Sequence, residues 1–231
     1  MNSFLEDLAS NPAITTAMWP AFLETLLMVG ISGLATVVVG LPLGVVLFVT
    51  QPGGLVANRV VSRVLNTLLS GLVVNITRSI PYAILMVALI PFTRWVVGTS
   101  IGPVAASVSL TIACIPFFAR LVEAGLREVQ PGKVDAAHAM GSTRFQTVWK
   151  VLLPEALPSL AASVTTTLVA LIGYSAMAGL IGGGGLGRLA YNYGYQRFQP
   201  EVMVVVLVVL VVLVQLVQAI GDAVVRRVDH R

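Results

Sequence analysis

Residues 202–220 are apolar at every one of 19 positions except Gln215 and Gln218. A run of that length matches the roughly 20 residues an α-helix needs to cross a hydrocarbon core of about 30 Å. Its many valines favour strands in water. A membrane barrel strand, however, is about 9 to 11 residues long and alternates in polarity, and this run does not alternate. A membrane-spanning helix is the reading that remains. Composition extends it to the whole chain: 57% of the 231 residues are hydrophobic and 10% charged, against about 25% charged in soluble domains.

The same rule places further spans at about 21–49, 72–95, 101–122 and 156–181, with the last at 201–225. The expectation is a single domain over residues 1–231, an all-α membrane protein with five transmembrane helices. The second span has the least defined limits, because Asn75, Arg78 and Pro81 interrupt it. Residues 55–72 alternatively lie along the membrane surface. Pro42, Pro103 and Pro116 fall inside the other spans and predict kinks rather than ends, since neighbouring helices can satisfy the freed carbonyls.

Lys and Arg in short loops set the orientation. Arg59, Arg63, Arg120, Arg127, Lys133, Arg144, Lys150, Arg226, Arg227 and Arg231 fall on one side, which makes ten of fourteen. Arg94, Arg188 and Arg197 fall on the other, and Arg78 is of uncertain depth. The ten mark the cytoplasm, so the N-terminus is expected outside and the C-terminus inside. Residues 1–17 agree, with Glu6 and Asp7 but no Lys or Arg; they lack the basic opening of a signal peptide. The net charge of +4 follows from this topology and gives no reason to invoke nucleic acid.

Catalytic groups are scarce. Cys114, the only cysteine, sits in an apolar span and reads as a buried structural thiol. His138 and His230 fall in cytoplasmic segments, so no metal-ligand cluster assembles. No serine occupies a G-x-S-x-G elbow. IGGGGLG at 181–187 satisfies G-x-G-x-x-G through Gly182, Gly184 and Gly187, but it closes a membrane span where a dinucleotide site needs a βαβ unit. It reads as a glycine-rich turn. The chain is not expected to be an enzyme, and if ATP is used another subunit binds it.

Between two apolar spans lies a polar island at 134–160, VDAAHAMGSTRFQTVWKVLLPEALPSL. Asp135, Ala136 and Ala137, then Gly141, Val151, Leu153 and Pro154, give D-A-A-x3-G-x9-V-x-L-P. This resembles the E-A-A-x3-G-x9-I-x-L-P loop of ABC importer permeases, with Asp for Glu and Val for Ile preserving charge and shape. The residue types suit a docking element. Ala136, Ala137 and Gly141 let a partner approach the backbone, and Met140 adds an adaptable apolar contact. Asp135 in a first helical turn would favour the positive end of the dipole, and Ser142 would cap a second helix. Phe145, Val148, Trp149 and Leu152 recur at helical spacing, so that second helix is expected to pack one face back on the spans.

Four other segments, NITRSIPY at 75–82, VGTSIG at 97–102, KVLLPEALP at 150–158 and ALIGYSAMAG at 170–179, resemble the permease of bacterial methionine importers. The resemblance implies the type I ABC importer permease fold, with a cytoplasmic coupling loop at about 130–155 between helices 3 and 4. It also implies a homodimer in the inner membrane and two ATP-binding subunits inside the cell, which bind the ATP and Mg. A lipid-anchored or periplasmic methionine-binding protein is implied outside. Met177 takes the position of a constriction on the cargo path, with Tyr174 beside it on the same helix face; core filling is the alternative. Arg78 either snorkels to the headgroups or forms an ion pair that steadies one conformation. Gly30, Gly33, Gly40 and Gly44 suit close packing, within the chain or against a second copy. Tyr191, Tyr193, Tyr195 and Phe198 fit an interfacial belt or a contact with the binding protein.

The leading function is therefore the membrane subunit of an ATP-driven importer of methionine, D or L, or close analogues. An importer of another amino acid or small solute is the alternative. A secondary transporter would normally carry intramembrane carboxylates or broken-helix ion sites, for which only Arg78 and Glu123 offer themselves.

Overall fold

The computed structural model describes residues 11–51 and 59–229. Glu6, Asp7, His230, Arg231 and the side chain of Arg59 lie outside that description. Among the described residues, four helices are long and apolar enough to cross a membrane: Ala13–Val49 (α1), Pro103–Arg127 (α5), Leu157–Gly183 (α8) and Pro200–Val228 (α10). A fifth span results if the helices flanking a break at residues 80–81 count as one.

That break falls in the expected second span. The helix α2 begins as Arg59–Asn66 and continues through the π-helical Thr67–Asn75 into Ile76–Ser79. Ile80 then turns extended, at φ −85° and ψ 125°, because the ring of Pro81 disfavours the helical conformation in the residue before it. Helix α3 covers Tyr82–Ala88 and α4 covers Ile90–Val97; Pro91 lacks the N–H that would continue the hydrogen-bond ladder between them. The predicted helix over 72–95 is thus three pieces. Pro42 and Pro116 do lie inside helices, whereas Pro103 opens α5, the one place in a helix where its missing N–H costs nothing.

The chain forms two compact units, which share the long helices. One comprises the residues up to Leu34, 81–113 and 168–218. Its buried centre joins Ala13 and Ala21 of α1 to Leu186, Leu189, Val202 and Val206. The glycine run forms a tight hairpin here that leads into a short helix, α9 (Gly185–Leu189), and a Cβ on Gly187 would stand 2.1 Å from the Ala176 carbonyl oxygen. Two groups from α1 close the hairpin: Gly185 N–H donates to Glu24 Oε2 at 2.6 Å, and Leu186 N–H to Thr25 Oγ1 at 2.9 Å.

The other unit comprises residues 35–80, 114–167 and 219–231. Phe118, Val122 and Leu126 of α5 pack with Val148, Leu152, Ala156 and Leu160, against partly buried Val37, Leu41, Val45 and Phe48 of α1. Three of the four α1 glycines lie against other helices of the same chain. A Cβ on Gly44 would stand 2.6 Å from both the Ala119 carbonyl oxygen and Val122 Cβ, one on Gly40 2.8 Å from Phe118, and one on Gly33, in the first unit, 2.8 Å from Leu168. Packing within the chain explains these three. Gly30 meets nothing within 4 Å among the described residues.

Candidate functional site

The polar island folds as a helical hairpin. Gln130, extended at ψ 126°, is followed by Pro131 as the first residue of α6, Pro131–Ala139, the position at which proline is pre-organised for a helix. Starting there puts Asp135 one turn deeper than the sequence suggested. The first turn holds no acidic residue, so the dipole role expected of Asp135 is not realised, because that interaction fades within one turn.

The turn after α6 explains the glycine. Gly141 adopts φ +80°; its N–H donates to the His138 carbonyl at 2.9 Å, and Ser142 N–H donates to the Ala137 carbonyl at 3.0 Å. This is a Schellman closure, which needs a left-handed residue at the position of Gly141. Ser142 N–H is committed to that closure and so cannot take the reciprocal bond of a capping box, and the next helix is capped by Thr143. Gln146 N–H donates to Thr143 Oγ1 at 3.3 Å, and Thr143 N–H donates to Gln146 Oε1 at 2.9 Å. The reciprocal pair is a capping box, and it requires Gln at the third helical position, which only Thr143 satisfies.

The second helix, α7, runs from Arg144–Thr147 through Val148–Leu152 to Leu153–Glu155. Val148 and Leu152 pack into the buried cluster as expected. Phe145 and Trp149 do not: they are 72% and 57% exposed, with ring centroids 6.1 Å apart. The α-helical repeat would put them on the face that Val148 and Leu152 bury, but the stretch Val148–Leu152 is π-helical and its longer turn breaks that register. Lys133 and Glu155 form an ion pair that ties α6 to the end of α7.

The predicted docking residues divide accordingly. Asp135, Ala136, Met140, Gly141 and Pro154 are exposed, Val151 and Leu153 are half-buried, and Ala137 is buried. Ala137 therefore holds the hairpin and is not itself available to a partner. The result is a self-capped element with small and apolar groups outward. Among the described residues no three His, Cys, Asp or Glu side chains are placed to hold a metal ion.

Tyr174 and Met177 lie on α8 but turn to different neighbours. Tyr174 stacks on Tyr82, centroids 4.9 Å apart and rings 18° from parallel, while Tyr82 also shares a hydrogen bond of 3.3 Å with Ser109. Met177, 40% exposed, lines an apolar groove of about 430 Å³ with Leu180, Tyr191, Tyr195, Met203 and Leu207. Positions i and i+3 are about 60° apart around a helix, enough to separate the two side chains. Arg197 lies over the Tyr193 ring at 4.3 Å.

Arg78 is exposed and, among the described residues, has no ion-pair partner. The sequence reading missed the charges that do pair. Glu123, 3% exposed, binds Arg120 at 2.7 Å and Arg127 at 2.6 Å. The signal was present in R-x-x-E-x-x-x-R, since i, i+3 and i, i+4 neighbours share a helix face. Glu24 was missed as well; no local spacing links it to Gly185, 161 residues away.

The family model described as "binding-protein-dependent transport system inner membrane component" matches residues 51–231. The chain is 54% identical over 222 residues to a "probable D-methionine transport system permease protein MetI" of Vibrio cholerae, covering 96% of this chain and 95% of that one. It is 45% identical over 216 residues to a "methionine import system permease protein MetP" of Bacillus subtilis, covering 94% and 95%. A solved chain of the MetNI methionine ABC transporter, described as inward facing, superposes with a TM-score of 0.89 at 49% identity, covering 96% of this chain and 100% of that one. The chain belongs to the family of binding-protein-dependent transport system inner-membrane components and is a multi-pass permease subunit of the inner membrane.

Proposed function

We propose that this chain is the permease subunit of an ATP-driven methionine importer. It works as a pair of identical copies with two ATP-binding subunits in the cytoplasm and a methionine-binding protein outside. The observation that carries this reading is the self-capped hairpin at 130–155, joined to high identity with two relatives named as methionine permeases. Its N-terminus is outside and its C-terminus cytoplasmic, on the strength of the Lys and Arg bias.

In this reading Asp135, Ala136, Met140 and Gly141 present the surface on which an ATP-binding subunit docks. Ala137, Val151, Leu153 and Pro154 carry that surface and join it to α8. ATP and Mg belong to the partner; this chain supplies the mechanical part. Closure of the two ATP-binding subunits moves the hairpins, and the core of Phe118, Val122, Val148 and Leu152 passes the movement to the spans. Met177 narrows the cargo path until the helices part, and Tyr174 fixes its own side of α8 by stacking on Tyr82. Arg78 pairs outside its own chain or reaches the headgroups.

The test is reconstitution with the matching ATP-binding subunit and binding protein. The expected result is that the solubilised chain retains the ATP-binding subunit through purification, and that vesicles accumulate labelled methionine only with ATP. A chain that retains no ATPase, or vesicles with no ATP-dependent uptake, would sink the proposal.

A further inference from the structure

A cluster of polar side chains lies beyond the docking hairpin, within the compact unit that holds it. Glu123 is its centre. Arg120 Nη1 donates to Oε2 at 2.7 Å; Arg127 Nη2 and Gln51 Nε2 donate to Oε1 at 2.6 and 2.7 Å. Arg127 Nε closes a ring by donating to Gln51 Oε1 at 3.2 Å. The second amino group of Arg120 reaches α2: Nη2 donates to Ser70 Oγ at 2.6 Å, to the Ser70 carbonyl at 3.3 Å and to Asn75 Oδ1 at 2.8 Å. Asn66, also of α2, donates to the Leu47 carbonyl at 3.3 Å and to Thr50 Oγ1 at 3.4 Å.

Apolar packing would hold these helices together as well, because a buried ion pair is rarely the more stable choice. What a forked guanidinium adds is direction: it fixes angles as well as distances between the groups it bridges. Arg120 bridges two elements that matter for movement. On one side is Glu123, on α5, which leads after three residues into the docking hairpin. On the other is the segment 66–79, which ends where Ile80 and Pro81 break the helix and where the compact unit itself ends. The end of α1, the segment before the break and the last turns of α5 are thereby clamped into one lever that carries the hairpin.

We infer that Arg120 is a positioning residue for transport: through Ser70 and Asn75 it makes the segment before the Ile80–Pro81 break move with the docking hairpin, so that ATP-driven displacement reaches the second span. This inference rests on the importer reading. The paired variant Ser70→Ala with Asn75→Leu tests it, since it removes both short side-chain bonds to α2 and leaves only the 3.3 Å bond to the Ser70 carbonyl, while the charges of Arg120, Glu123 and Arg127 stay paired. The whole complex is placed in proteoliposomes, and ATP hydrolysis and labelled-methionine uptake are measured in the same vesicles. The expected result is retained ATP turnover with uptake per ATP lower by about fivefold or more. Arg120→Lys should behave likewise, because an ammonium cannot fork between two partners. A cluster that only stabilised the fold would lower the unfolding temperature and leave uptake per ATP unchanged, and that outcome in both variants overturns the inference. A wild-type complex without ATP-dependent uptake overturns the importer reading, and this inference with it.

Discussion

Complexes carrying Gly141→Val should go on hydrolysing ATP while importing about tenfold less cargo per ATP, within the usual range of coupling between distant sites. The reason is conformational. Gly141 sits at φ +80°, where an L-residue is disfavoured by about 1–2 kcal/mol, and a β-branched one is a pronounced outlier. Crowding is not the cause, because a Cβ at this position would meet nothing within 4 Å among the described residues. Valine instead forces the backbone out of the Schellman closure. The N–H groups of Gly141 and Ser142 lose their carbonyls, and α6 no longer meets α7 at a fixed angle. Hydrolysis and uptake measured together in vesicles check this; an unchanged ratio would count against a docking role for the turn.

The second large effect is on stability. Glu123→Leu removes the acceptor shared by two arginines and a glutamine, and orphaning one partner of a buried pair costs about 3–5 kcal/mol. The lower end applies, because Arg127 is 55% exposed and can turn to water, and Arg120, 22% exposed, keeps its bonds to Ser70 and Asn75 while losing its counter-charge. Thermal unfolding of the assembled complex should show a clear drop. Adding Arg120→Met to Glu123→Leu should recover part of it, since replacing both members of a buried pair with apolar groups is close to neutral. A double variant no more stable than Glu123→Leu alone would mean that the orphaned arginine is not the source of the loss.

The long helices were legible in the sequence because membrane insertion leaves a direct mark on composition: α10 needs only its run of valine and leucine to be recognised. The hairpin was legible because its spacing carries the resemblance, with Gly141 as its fixed point. Detail failed where two neighbours competed for one role. Ser142 and Thr143 are equally good caps by residue type, and the closing bond of the preceding helix together with Gln146 at the third helical position decides for Thr143. Phe145 and Trp149 read as core because apolar residues at helical spacing usually are; their exposure depends on where α7 lies, which spacing does not encode. The second span was flagged by Pro81, yet Pro91 divides it again. The Arg120 cluster was half legible. Its contacts along α5 follow from local spacing, but Gln51 is 72 residues from Glu123 and Ser70 is 50 from Arg120, and no local rule connects them.

Met140, 80% exposed beside the turn, offers the most direct test that the hairpin docks on an ATP-binding subunit. Cys114 is the only cysteine and is buried, so Met140→Cys in a Cys114→Ala chain presents one accessible thiol. With a bifunctional thiol reagent of short reach and the matching ATPase carrying a cysteine in its docking groove, the cross-linked product should have the summed mass of the two chains. Its yield should change when nucleotide is added. A Met140→Cys thiol that forms no such product, and that reacts with a soluble maleimide equally fast with and without the ATPase, would contradict the docking role of the hairpin.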